Sequence, residues 1–218
     1  MDDGAAGFGE MISYHLCMTQ RHSFKKAMPN HPLYLLLADI AAEHDVPIDI
    51  HMEAVETKTP MPARLRQACD KNPAELEPTI PALEELLRHN RKARIVWQHI
   101  GWDNTGQMHL ALLRRLLTAH PNLSLALRVP SRVLDQSGQP IPNRIVDGNM
   151  RVTEAWMRFA DEFQDRLVIG ADEFISPSTA PSKIAASFDT TWSIIDQLPE
   201  QVASKIGGDN ARRIYRLR

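Results

Sequence analysis

The sequence predicts an α/β fold built on a parallel sheet, and three observations predict it. Apolar runs of strand length alternate with helix-like amphipathic runs along the chain. Turns leading from helix to strand are short ("EHDV", "NRKA", "HPN", "FQD"), whereas two of the connections from strand to helix are long. Three of the apolar runs also stop on a polar residue suited to chemistry: "PIDIH" on His51, "RIVWQH" on His99 and "RLVIGAD" on Asp172.

The elements follow in order. Strands are expected over residues 6–12, 47–51, 94–99, 123–129 and 166–171, where β-branched and other apolar residues cluster between turn residues. Helices are expected to begin near Pro32, Pro81, Gly106, Val152 and Pro181. In "PALEELLRHN", Leu83, Leu86 and Leu87 recur at helical spacing, with glutamates early and Arg88 late, matching the helix dipole. In "HLALLRRLLTAH", Leu110, Leu113 and Leu117 form the expected core stripe. Trp192, Ile195 and Leu198 play that part in a last long helix.

Strict alternation implies a parallel sheet, because parallel neighbours need a crossover between them. Long loops on one edge only imply that this edge carries the function. Both a barrel and a doubly wound open sheet place their sites outside the carboxyl ends of the strands. His51, His99 and Asp172 end the second, third and fifth strands and are therefore expected at one edge. Imidazole and carboxylate are the donors that suit zinc and similar divalent ions.

The bulk properties restrict the partners. The chain has 218 residues, enough for one sizeable core, with 43% hydrophobic and 24% charged residues, as in ordinary soluble globular proteins. A net charge of -2 gives no electrostatic reason to expect nucleic acid or an anionic membrane. The expected partner is a small-molecule substrate. No apolar run reaches the length of a membrane span and the first residues are not those of a signal peptide, so a cytoplasmic location is expected for this chain, and is left open if an N-terminal signal is missing from it. Cys17 and Cys69 have no CxxC partner and are expected to be reduced thiols.

The stretches "PIDIHMEA", "IVWQHIGWDNTG", "RLVIGADEF" and "GGDNARRIYRL" together resemble the later part of the amidohydrolase superfamily. More narrowly, they resemble its branch of metal-dependent barrel hydrolases and decarboxylases acting on carboxylate-bearing substrates. The resemblance implies a partial TIM (β/α)8 barrel, about its last five βα units, forming a single domain over 1–218. It implies that His51 matches the fifth-strand histidine ligand and His99 the sixth-strand histidine, which holds the metal or polarises a carbonyl. Asp172 matches the eighth-strand aspartate that binds metal and moves protons. Glu10 ends the fourth strand, where some members place a metal-bridging group. The implied cofactor is a divalent metal, zinc first.

The sequence departs from the family in lacking the first-strand His-x-His pair, and about five strands stand where a closed barrel needs eight. The chain is accordingly expected to begin at the fourth strand, as a truncated frame or a fragment. It is also expected to hold metal weakly, and to expose two strand edges and one side of the barrel lining, a route to self-association.

Trp102, in the loop after His99, is a candidate pocket wall, and Arg128, ending the fourth visible strand, a candidate grip on a substrate carboxylate. Asp103, Asn104 and Thr105 read as helix caps. His15, His22, His31 and His44 read as surface residues, and His89, His109 and His120 as lying on helices or at their ends. The expected activity is hydrolysis of an ester, lactone or amide, with non-oxidative decarboxylation on the same scaffold as the alternative. Two further readings stand beside these: a catalytically silent, partner-binding fragment, and a flavodoxin-like sheet, which lacks a glycine-rich phosphate turn after its first strand.

Overall fold

The computed structural model describes residues 4–18, 23–130, 140–172 and 188–217. His22, Glu173 and the helix start expected near Pro181 lie outside them.

In chain order the first elements are β1 (Phe8–Ile12), β2 (Tyr14–His15), β3 (Lys25–Lys26), α1 (Pro32–Glu43) and β4 (Pro47–His51). The long connection after β4 holds β5 (Thr59–Pro60), α2 (Ala63–Ala68) and β6 (Glu75–Leu76), followed by α3 (Ile80–His89) and β7 (Arg94–Ile100). Then come α4 (Leu110–Ala119), β8 (Leu123–Leu127), α5 (Glu154–Glu162), β9 (Leu167–Ile169) and α6 (Phe188–Trp192). The chain closes through a 3-10 turn (Ile195–Gln197), α7 (Glu200–Ser204), a π-helical turn (Lys205–Asp209) and α8 (Asn210–Tyr215).

The five longer strands form one parallel sheet in the order β1-β4-β7-β8-β9. Consecutive strands are therefore neighbours, as in the wall of a barrel. β1 and β9 form its edges. The short pairs β2-β3 and β5-β6, and helix α2, were not foreseen from the sequence. They are too brief to leave a periodic pattern.

Period-two alternation sorts the side chains. Ile48, Ile50, Ile95, Trp97, Leu123, Leu125 and Leu167 face the main core, against Leu83, Leu86 and Leu87 of α3 and Trp156 and Phe159 of α5. Helix α4 starts at Leu110, not near Gly106, and buries Leu112, Leu113, Leu116 and Leu117, while Leu110 packs against the core half-buried. Histidine caps set the start of two helices. The His31 ring accepts a hydrogen bond from the Leu33 amide, with Pro32 opening α1, and His109 Nδ1 accepts from the Leu112 amide at 3.1 Å. The expected last long helix is broken: Trp192 ends α6, Ile195 opens the 3-10 turn, and Pro199 stands before α7.

The opposite face of the sheet is not left bare. Val96, Ala126 and Val168 pack against Ile214, with Ala211 and Tyr215 beside it. Asn210 Nδ2 donates to the carbonyls of Gln164 and Leu167 at 2.6 and 2.7 Å, which pins α8 at the start of β9. Tyr215 Oη donates to Asp49 Oδ1 at 2.6 Å. The barrel-lining side expected to be exposed is thus partly covered by the chain's own C-terminal helix.

Cys17 and Cys69 form a disulfide with a Cα–Cα distance of 5.8 Å, which corrects the expectation of reduced thiols. Their separation of 52 residues hides the pairing from the sequence, since only the fold brings the segment after β2 against the end of α2. No helix among the described residues is long and apolar enough to cross a membrane.

Candidate metal centre

Two breaks in the pleat create the site. Along β1, Phe8 pairs with Ile48 and Met11 with Ile50, so β1 uses one residue more than β4 and bulges around Glu10. Along β7, Trp97 pairs with Leu125 and Ile100 with Leu127, and the extra residue falls around His99. A bulge re-aims the side chain it carries. Unbroken alternation after Ile95 and Trp97 would send His99 into the main core. The bulge, with His99 at φ 64°, turns it to the site, and β7 continues to Ile100. Gly101 follows at φ 101°; a Cβ there would stand 2.6 Å from the Arg128 carbonyl oxygen, so the close crossing of these two strand ends requires glycine.

His51 needs no such device. It ends β4 on the face shared with Asp49, since Ile48 and Ile50 point to the core. Its Nδ1 donates to Glu10 Oε1, and His99 Nε2 lies 3.2 Å from the same oxygen. The His51 and His99 rings meet edge-on with centroids 4.6 Å apart. Donor atoms of Glu10, His51 and His99 all lie within 4.8 Å of one another.

A second group adjoins the first. Beyond β1 the chain keeps running beside the end of β4: the Ser13 amide donates to the His51 carbonyl and the Glu53 amide to the Tyr14 carbonyl, both at 2.9 Å. This continuation sets His15 Nδ1 2.8 Å from His51 Nε2, and His15, His51 and Glu53 form another group of donors within 4.8 Å. His15, read from the sequence as a surface residue, is in the site. Glu53 is buried, and the Asn104 side-chain amide donates to its Oε1 at 2.9 Å and to its Oε2 at 3.2 Å. The signal available in the sequence was the His51-x-Glu53 spacing, which puts both residues on one side of an extended segment.

Electrostatics follow from this crowding. Burial raises the Glu10 carboxyl, but the hydrogen bonds from His51 and His99 and their charges outweigh it and hold it well below the usual carboxylate range. Burial lowers His51, yet the bond to Glu10 and the charges of Glu53, Glu10 and Asp172 push it above the ordinary histidine value. Burial pushes Glu53 up to about 7.

Asp172 does not end its strand as expected: β9 stops at Ile169, and Asp172 lies three residues beyond it at φ 53° and in neither donor group. Its Oδ2 instead sits 2.7 Å from Arg128 Nη1, and the Arg128 guanidinium lies 4.2 Å from the centre of the Trp102 ring. Trp102, Arg128 and Asp172 are thus brought together as one rim. Asp103, expected as a cap, closes a loop: its carboxylate accepts from the amides of Thr105, Gly106 and Met108 and from the Asn143 side chain. Thr105 donates to the Ala54 carbonyl. His89 pairs with Asp39 and His109 with Glu56, away from the site, as their helical positions suggested.

The amidohydrolase family model matches residues 18–217. The chain belongs to the amidohydrolase family. Among solved structures, it is similar to a 2,6-dihydroxybenzoate decarboxylase complexed with 2,6-dihydroxybenzoate, at 17% identity and a TM-score of 0.46, over 88% of this chain and 58% of that one. It is also similar to a 2,6-dihydroxybenzoate decarboxylase from Rhizobium, at 16% identity and a TM-score of 0.45, over the same shares. This amidohydrolase chain therefore spans less than two thirds of the length of those structures. No curated protein matches it.

Members of the family are typically dependent on a divalent metal, and the residues present fit one. Glu10, His51 and His99 supply two imidazoles and a carboxylate, the set that a catalytic zinc takes beside an open position. Among the described residues the buried His99 Nδ1 has no hydrogen-bond partner, so none of them commits that ring to a structural role through its far nitrogen.

Proposed function

We propose that the chain is a metal-dependent hydrolase acting on an ester, lactone or amide of a small carboxylate-bearing substrate. The observation that carries this reading is the convergence of Glu10, His51 and His99 at one end of a parallel sheet. They would hold the ion, with zinc the first choice from their nitrogen and oxygen donors. A bound divalent ion supplies Lewis-acid polarisation of the substrate carbonyl and makes water acidic enough to attack near neutral pH.

The chain's own residues supply the rest. Asp172, at the rim, accepts a proton from the attacking water and returns it to the leaving group. Arg128 fixes the Asp172 carboxylate, and its planar guanidinium is the group whose geometry suits the carboxylate of the substrate. Trp102 stacks on Arg128 and walls the pocket on that side. In this reading Asp172 would serve as the catalytic base and His99 as a ligand to the ion.

Non-oxidative decarboxylation is the alternative on the same residues, favoured by Arg128 as a carboxylate grip. One experiment separates the readings. The purified chain, stripped with chelator and reloaded with Zn²⁺, is assayed with esters and lactones that carry a free carboxylate, and with hydroxybenzoates for release of CO₂. Turnover of the first set, lost in His51→Ala, supports the hydrolase. Release of CO₂ alone supports the decarboxylase. Metal binding without turnover of either set makes the chain a partner-binding fragment. Among the described residues β1 and β9 are the edges of the sheet, which supports self-association of this chain; faster-sedimenting dimers or larger species in analytical ultracentrifugation would report it.

A further inference from the structure

His51 faces two donor groups with two different ring nitrogens. Its Nδ1 is on Glu10 and its Nε2 is 2.8 Å from His15 Nδ1. The His15 and His51 rings meet edge-on, at 84° and 4.4 Å between centroids, so nitrogen points at nitrogen. Tetrahedral zinc with nitrogen ligands holds them about 3.3 Å apart, given bonds of about 2.0–2.1 Å. The pair would have to open by only about half an ångström to admit an ion.

Glu53 is the third member. It is 3% exposed, and among the described residues no lysine or arginine forms an ion pair with it. Its hydrogen bonds come from the Asn104 amide and the Leu16 backbone, both neutral donors. A carboxylate buried beside two imidazoles, with no lysine or arginine paired to it among the described residues, is costly to keep ionised, and a bound cation offsets that cost.

We propose that His15, His51 and Glu53 form a second divalent-cation seat, and that it competes with the Glu10–His51–His99 seat for His51, so the chain holds one ion at a time. This inference rests on the reading of the first group as a metal seat. The exclusion follows from imidazole chemistry. A neutral ring offers one lone pair, on one nitrogen, while the other carries the proton. When His51 Nδ1 donates to Glu10, its lone pair is on Nε2 and faces His15. When Nδ1 binds an ion beside Glu10 and His99, Nε2 carries the proton and donates to His15. The tautomer of a single residue therefore selects the seat.

The test is a titration of the full chain, stripped with chelator, with Co²⁺ alone, read by calorimetry and by the visible spectrum of the bound ion. Wild type binds one Co²⁺. His99→Ala removes a ligand of the first seat and still binds one ion, with an affinity within about tenfold of wild type and a shifted spectrum. Adding Glu53→Gln to His99→Ala weakens binding by at least about tenfold, the scale on which even supporting groups act. Glu53→Gln or His15→Ala alone keeps one ion, in the first seat. His99→Asn serves as the second variant if His99→Ala does not fold by circular dichroism.

Loss of the ion in His99→Ala and His99→Asn, while wild type holds it, overturns the second seat and leaves the proposed function standing. Two tightly bound ions in wild type overturn the competition. A wild-type chain that binds no Co²⁺ overturns both this inference and the reading beneath it.

Discussion

Arg128 Nη1 and Asp172 Oδ2 lie 2.7 Å apart at the rim of the site, although the residues come from different strand ends. The arginine is largely buried and its guanidinium also lies over Trp102, so the pair is fixed from two sides. Such a clamp aims the carboxylate and gives Arg128 a defined place against a ligand. Asp172→Asn keeps the shape but cannot take a proton, and is expected to lower kcat by about a hundredfold or more in the metal-loaded enzyme. Arg128→Lys, which keeps charge but not the planar fork, is expected to raise KM more than it lowers kcat. Steady-state kinetics with a carboxylate-bearing ester checks both. Full activity in Asp172→Asn would remove the residue from the proton path.

Metal should stabilise the fold as well as activate it. An ion present at a hundred times its Kd adds about 2.7 kcal/mol if only the folded chain binds it. For a chain of this size that raises Tm by about 5–10 °C. Thermal denaturation with and without Zn²⁺ measures this, and Glu10→Gln should shrink the gain. An identical Tm in chelator and in Zn²⁺ contradicts the metal centre.

The Cys17–Cys69 disulfide closes a loop of 52 residues, and the chain-entropy model gives about 4 kcal/mol for a loop of that size. Cys69→Ser, or reduction of the native chain, is therefore expected to lower Tm by about 8–16 °C. Cys17 is two residues from His15, so the same change should also weaken Co²⁺ binding in His99→Ala. Thiol titration of the unfolded, unreduced chain should find no free thiol, and two free thiols would contradict the pairing.

Asp49 gives a pH dependence whose sign is fixed. Burial pushes its carboxyl up to about 6, against the hydrogen bond from Tyr215, which favours the ionised form. The folded chain thus binds this proton more tightly than the unfolded chain does. Below about pH 4 both states are protonated and the group is neutral in effect; as pH rises from about 4 to 6 stability falls, and above that the loss is constant. Asp49→Asn, which keeps an oxygen for Tyr215, should raise Tm by about a few degrees at pH 7 and leave it nearly unchanged at pH 4. Parallel melts of both proteins across that range check it, and equal pH profiles would place the carboxylate in water.

Much of the arrangement is decided locally. Runs such as "RIVWQHI" and "LSLAL" are strands because alternating apolar residues need two apolar faces to cover them, and short helix-to-strand turns force consecutive strands to be parallel neighbours. That logic alone places His51, His99 and Asp172 at one edge of the sheet. The helix stripes at Leu83, Leu86 and Leu87, and the family to which the chain belongs, are legible in the same way.

Other features exist only once the sheet has formed. Period-two reasoning assigns a face only while the pleat is unbroken, and the bulges at Glu10 and His99 break it at the residues that matter. His15 enters the site because the chain after β1 keeps bonding to the end of β4, across 36 residues, through a hydrogen-bond ladder that no local pattern announces. Asp172 meets Arg128, and Cys17 meets Cys69, through the same long-range closure. Residue types and strand ends are properties of the sequence; which nitrogen faces which oxygen is decided by strand register and bulges, because ligand geometry turns on shifts smaller than one residue.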